Sequence, residues 1–194
     1  MRTISVWSLT LAMTLALALG AATVPAQETN EDEPEMKLEV GDEAPDFALP
    51  VAEDAAEDTP RRLSDFRGEK EVLVAFYPKA FTPGCTKQLC GYRDDFAKFQ
   101  EDDVAIVAVS TDKQGRASEF KEKHNLPFMV KGDPQHEIVK AYGVKRIAWT
   151  MATRQVFLVD KEGKVSYIDR SYDVQQGVNP LYASLFEQDA SAAE

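Results

Sequence analysis

Two runs of the chain are apolar at nearly every position. EVLVAFY at 71–77 and VAIVAV at 104–109 leave no polar face, which is the pattern of a strand covered on both sides. Between them, the apolar positions Cys85, Leu89, Tyr92, Phe96 and Phe99 are spaced four, three, four and three apart. That spacing puts all five on one stripe of a helix facing a core. Strand, helix and strand on this scale predict a parallel crossover. Further helices are predicted at about 116–123 and 135–142, the second closed by Gly143. RQVFLVD and KVSYID flank the turn Lys161-Glu162-Gly163 and predict an antiparallel hairpin. Asn179 as N-cap and Pro180 at the first helical position predict a short closing helix. The sum is an α/β fold, with a central mixed sheet flanked by helices.

The two ends read differently from this body. Residues 1–26 carry one charge, Arg2, then an apolar run, then Val24-Pro25-Ala26, the layout of a cleavable export signal. The run is short for a membrane span and no basic stop-transfer segment follows it. An uncleaved N-terminal anchor is the alternative. No cysteine lies near the cleavage point and no twin arginine precedes the run, so neither a lipoprotein nor a folded-export route is expected. Residues 27–36 form an acidic flexible segment, 37–186 the folded domain and 187–194 a flexible tail.

Removal of the leader leaves roughly 168 residues, enough for one domain with a real core. The net charge of −11 for the whole chain argues against nucleic acid and against anionic membrane surfaces as partners. The expected location is the periplasm, or outside the cell, of a bacterium.

Candidate chemistry comes down to two cysteines, Cys85 and Cys90, in FYPKAFTPGCTKQLCGYRDDFAKF at 76–99. Structural zinc needs four ligands, and only His124 and His136 could join them. Both histidines fall in polar helical stretches, where a solvated role is expected, so no metal or other cofactor is assigned. The spacing is not the Cys-x-x-Cys of thiol–disulfide exchange enzymes. A permanent disulfide suits an oxidising compartment but not a helix. Five residues of α-helix rise about 7.5 Å and turn about 500°, setting the Cα atoms about 8.5 Å apart. A disulfide needs less than about 7 Å. The bond therefore requires the first turns of the helix to unwind, which suits a switch better than a staple.

Thr82 fits the N-cap, Pro83 the first helical position, and Gly84 lets backbone approach a ligand. Cys85 is thereby set at the positive end of a helix, where a thiolate is favoured. A lone cysteine with apolar flanks defaults to a buried, inert residue, and the local pattern alone leaves that reading open.

Pro78, Thr82 and Cys85 reproduce the P-x-x-x-T-x-x-C signature of the peroxiredoxins, and FYPKAFTPGCTKQLCGYRD resembles the Q-type subfamily, or bacterioferritin comigratory proteins. VGDEAPDFALP, RLSDFRG, AVSTD, NLPF, AYGV and RQVFLVDKEGK are similar to family segments in the same order, so the resemblance covers about 37–182. It implies a thioredoxin-like fold and a thiol peroxidase acting on hydrogen peroxide and organic hydroperoxides. It implies that Cys85 is the peroxidatic cysteine, open to hydroperoxides, and Cys90 the resolving one, joined in a redox-active intramolecular disulfide. Arg154 would lie over the thiolate, Thr82 and the Gly84 backbone would position the peroxide, and Pro78 would shield the sulfur. A thioredoxin-like protein would restore the dithiol. A monomer would suffice, with a weak dimer possible. Two segments depart from the family pattern: the long acidic linker VAEDAAEDTP, and KRIAWTMATR before Arg154.

An exported thiol–disulfide oxidoreductase acting on protein disulfides is the rival. It would need Cys-x-x-Cys and a proline before the late strand, and the chain has neither. A non-enzymatic redox-sensing domain is the third reading. It predicts that Cys85 oxidises no faster than free cysteine.

Overall fold

The computed structural model describes residues 37–51, 55–57, 59–144 and 150–178. The predicted leader, acidic segment, closing helix at Asn179-Pro180 and tail lie wholly or almost wholly outside these residues. Among the described residues no helix is long and apolar enough to cross a membrane.

Five strands form one sheet in the order β3-β2-β1-β4-β5. They are β1 (Glu71–Phe76), β2 (Val104–Ser110), β3 (Met129–Gly132), β4 (Gln155–Val159) and β5 (Val165–Asp169). β1 pairs in parallel with β2 and antiparallel with β4, which makes it the central strand of a mixed sheet. Its continuous apolar run follows from that position. Leu73, Ala75 and the following Tyr77 enter one core with Leu89, Tyr92, Phe99 and Phe120. Val72, Val74 and Phe76 enter a second core with Phe66, Val139, Tyr142 and Phe157. Alternate side chains leave a strand on opposite faces, so a strand covered on both sides has no polar positions to spare. β4 and β5 form the predicted hairpin, with Gly163 at φ +85° in its turn.

On the first face lie α1 (Pro83–Asp94), α2 (Phe96–Glu101) and α3 (Gln114–Lys123). On the second lie a 3-10 turn, Leu63–Phe66, and α4 (Glu137–Ala141). The single helix expected along the 85–99 stripe is two helices, broken at Asp95 (φ −98°, ψ 9°). Asp competes for backbone hydrogen bonds and breaks helices readily. The apolar stripe crosses the break because α2 keeps Phe99 buried. β3 was not predicted. Only Val130 and Gly132 of its four residues are buried, too short an alternation to stand out.

Candidate active site

The register of the central strands places the site. Phe76, the last residue of β1, pairs with Gln155, the first of β4. The loop leaving β1 and the residue entering β4, Arg154, therefore meet at one edge of the sheet.

That loop, 77–82, is anchored from three sides. Tyr77 N–H donates to the Val109 carbonyl at 3.0 Å. Ala80 N–H donates to Asp112 Oδ2 at 2.7 Å, which also accepts from Ser110 Oγ at 2.9 Å. Arg116 pairs with Asp112 Oδ1 at 3.3 Å and donates to the Ala80 carbonyl at 3.2 Å. Phe81 then takes a left-handed conformation, φ +64°, which costs a non-glycine residue about 1–2 kcal/mol. The Arg116 guanidinium 4.9 Å above its ring and the edge of Phe120 at 5.0 Å hold it there. This turn aims the chain into α1.

Thr82 is the N-cap by backbone, extended at φ −96° and ψ 148°, with Pro83 at the first helical position. Its hydroxyl does not cap the helix, contrary to the sequence expectation. It turns back and donates to the Lys79 carbonyl at 3.0 Å, which leaves its oxygen as an acceptor. Pro78 lies in the same loop and is half-buried.

Cys85 is 1% exposed. The core-facing stripe turns the side chain inward, as it does those of Leu89 and Tyr92. Arg154 Nη2 reaches its Sγ at 3.5 Å. A Cβ added at Gly84 would come 3.3 Å from the same Nη2, so the glycine makes room for the guanidinium. The other fork nitrogen of Arg154 donates to Gln88 Oε1. Gln88, 1% exposed, donates in turn to the Tyr92 hydroxyl at 3.1 Å. Sequence reasoning missed Gln88. A polar residue three after Cys85, hence on the same helix side, was the available signal.

Two more tyrosines border this region. Burial above all pushes Tyr77 far above the ordinary phenol range; the charges of Asp112 and Cys85 add to the shift and Ser110 opposes it. Ser110 spends its hydroxyl on Asp112, and the Tyr77 oxygen has no hydrogen-bond partner among the described residues. Burial likewise raises Tyr172 to about 12, and its ring packs 5.8 Å from that of Tyr92.

Both cysteines are free thiols. Cys90 sits on the same intact helix as Cys85 but on another side and is half-buried. His124 is not merely solvated, as expected. Its ring packs against Phe120 at 4.9 Å and Phe81 at 6.5 Å, and its Nδ1 lies 3.9 Å from Cys90 Sγ. Among the described residues no three His, Cys, Asp or Glu side chains gather as a metal site.

Known proteins resemble this chain in sequence and in fold. The model of the AhpC/TSA family matches residues 40–168. Peroxiredoxin Bcp of Bacillus subtilis (strain 168) is 40% identical over 136 residues, 67% of this chain and 83% of the relative. Peroxiredoxin Bcp of Escherichia coli (strain K12) is 38% identical over 137 residues, 68% and 85% respectively. The crystal structure of peroxidoxin BcpB from Mycobacterium tuberculosis superposes with a TM-score of 0.64 at 31% identity, covering 75% of this chain and 95% of that one.

The chain belongs to the AhpC/TSA family.

It is a peroxiredoxin of the Bcp type, and so a peroxidase of the oxidoreductase class. The fold is the thioredoxin-like one of these enzymes.

Proposed function

We propose that the protein reduces hydrogen peroxide and organic hydroperoxides through Cys85, with Cys90 resolving the oxidised sulfur and a thioredoxin-like protein restoring the dithiol. The observation that carries this reading is the Arg154 guanidinium 3.5 Å from the buried Cys85 sulfur.

Thiolate supply alone is not enough. A free thiol is about 3% ionised at pH 7, so complete ionisation gains about thirtyfold. The rest must come from orientation and from stabilising charge on the departing oxygen. The Cys85 thiolate attacks one peroxide oxygen as the O–O bond breaks. Sulfur is oxidised to the sulfenic acid, and the second oxygen leaves as water or alcohol after gaining a proton. Arg154 serves thiolate and peroxide together. Thr82, its own hydrogen already given to Lys79, accepts from the peroxide O–H. The Gly84 and Cys85 N–H groups at the helix start donate to the bound oxygens. Pro78 covers the sulfur from water.

The folded α1 holds the two Cα atoms about 8.5 Å apart, so resolution waits on local unwinding. Cys90 then attacks the sulfenic sulfur, an S–S bond replaces the S–O bond, and water is released. The disulfide forms within one chain, so turnover needs no second subunit. We further propose that residues 1–26 direct export and are removed, leaving the enzyme in the periplasm or outside the cell.

Rapid-quench mass spectrometry after a peroxide pulse tests the chemistry. The parent should pass through a Cys85 sulfenic acid to a Cys85–Cys90 disulfide, Cys90→Ser should stop at the sulfenic acid, and Cys85→Ser should consume no peroxide. Peroxide consumption by Cys85→Ser at the parent rate would overturn the assignment.

A further inference from the structure

Cys90 has its own surroundings, separate from those of Cys85. It sits two turns into α1, and α3 ends against it at His124, the C-cap residue of that helix. Nδ1 of His124 lies 3.9 Å from Cys90 Sγ, within the longer reach of a hydrogen bond to sulfur. The residue is held at both its ring and its backbone. Phe120 meets it edge-on at 4.9 Å, Phe81 flanks it at 6.5 Å, and Arg93 Nη1 donates to the His124 carbonyl at 2.9 Å. Phe81 belongs to the loop that delivers Cys85, so one aromatic group connects the loop, α3 and the histidine.

From this geometry we infer that His124 is the general base of the resolving step, taking the proton of the Cys90 thiol before Cys90 attacks the oxidised Cys85. The inference rests on the disulfide mechanism proposed above.

A neutral thiol is a poor nucleophile, and the thiolate is the attacking species. Proton transfer from Cys90 to His124 gives a thiolate–imidazolium pair without changing the net charge. One neighbouring cation favours the anion on sulfur. Arg93, one turn along α1, is close enough to Cys90 for their charges to interact, though it also pairs with Asp94 at 2.7 Å. Lys87, one turn before, reaches Gln175 at 2.7 Å. From α3, Lys123 and Arg116 stand over the Phe81 ring at 5.7 and 4.9 Å, and Lys121 lies one turn before His124. Arg93 acts on Cys90 directly, though it shares its charge with Asp94, as Arg116 shares its own with Asp112 at 3.3 Å.

The contact exists while α1 is folded, and His124 is on a different helix. Deprotonation therefore precedes unwinding, and Cys90 leaves the histidine already as thiolate. At Cys85 the S–S bond forms as the S–O bond breaks. The hydroxide that departs takes the proton held on His124, directly or through water, which returns a neutral imidazole. One thiol and one sulfenic acid become one disulfide and one water.

The test uses His124→Gln, which cannot titrate, and His124→Phe, which keeps the ring packing but not the nitrogen. Both are mixed with hydrogen peroxide between pH 5 and 9, and the sulfenic acid and disulfide forms are followed by rapid-quench mass spectrometry. The first phase, sulfenic acid formation at Cys85, should match the parent in both variants. The second phase should slow about tenfold or more at pH 7 in both. The deficit should close toward pH 9, where a free thiol ionises unaided.

Either variant keeping the parent's second-phase profile would overturn the inference. So would uniform slowing at every pH, which marks a structural role. Failure of the parent to form any Cys85 sulfenic acid would remove the peroxidase reading itself, and the inference with it.

Discussion

Arg154 and Cys85 stand 69 positions apart in the chain and 3.5 Å apart in space. The antiparallel register of β1 and β4 brings them together, and Gly84 leaves the gap that the guanidinium fills. A fork with one nitrogen on sulfur and the other on Gln88 is a task for arginine rather than lysine. Arg154→Ala is expected to lower the second-order rate with hydrogen peroxide about 10²–10³-fold, the cost of removing a transition-state donor. Arg154→Lys should recover only a minor part. Stopped-flow peroxide consumption measures both, and an unchanged rate in Arg154→Ala would remove the arginine from the mechanism.

Gln88 fixes the direction of that fork. It accepts from Arg154, donates to the buried Tyr92 hydroxyl, and is itself 1% exposed. Gln88→Ala leaves the half-buried Arg154 and the buried Tyr92 hydroxyl each short of a partner, at about 1–3 kcal/mol. Gln88→Glu keeps the acceptor for Arg154 and adds a charge that competes with the thiolate for the guanidinium. Both should reduce peroxide reactivity. The glutamate variant should do so with less loss of thermal stability at neutral pH, because its carboxylate stays paired. Equal reactivity of parent and both variants would reduce Gln88 to a packing residue.

The sequence made much of this legible because local rules and tertiary structure agree there. The nearly all-apolar β1 and β2 read as strands covered on both faces, and the 85–99 stripe as a core-facing one. Cys85 and Thr82 followed from one short motif. Gln88 and Asp112 escaped because each works through a partner far along the chain: Arg154 for one, the Ala80 backbone N–H for the other. Pattern reading senses periods of two and 3.6, and neither residue disturbs a period. His124 escaped for a related reason. Its neighbours in sequence, Lys123 and Asn125, are polar, while its neighbours in space are Phe120, Phe81 and Cys90. The break at Asp95 was invisible because the apolar stripe runs through it.

Asp46 ties the segment before the 3-10 turn to that turn. It accepts from Arg62 Nε at 2.6 Å and from Ser64 N–H and Oγ at 3.0 and 3.1 Å. Burial by itself would raise its pKa. The Arg62 and Ser64 bonds outweigh burial and hold the carboxyl below its ordinary range. A carboxyl whose pKa is depressed by folding contributes stability that is present above its unfolded value, about 3.9, and is lost as pH falls through the folded value. Asp46→Asn should therefore destabilise the protein by about 1 kcal/mol at pH 7. The gap to the parent should narrow below about pH 4. Urea unfolding at pH 7 and pH 3 checks this, and a gap that widened on acidification would contradict it.

Gly91 follows Cys90 in the middle of α1, and a Cβ built there meets nothing within 4 Å. Close packing therefore does not require the glycine. What remains is its cost to the helix, about 1 kcal/mol relative to alanine. Gly91→Ala should raise the stability of folded α1 by up to that amount and, by the same amount, disfavour the unwound form that lets Cys90 reach Cys85. An energy of 1 kcal/mol is about fivefold in population. Sulfenic acid formation should keep the parent rate, while disulfide formation slows up to about fivefold. A longer-lived sulfenic acid meets a second peroxide more often, so the sulfinic form of Cys85 should accumulate at lower peroxide in the variant. Intact mass measured across a peroxide titration reads both effects. Faster disulfide formation in Gly91→Ala would mean that α1 need not unwind at this residue.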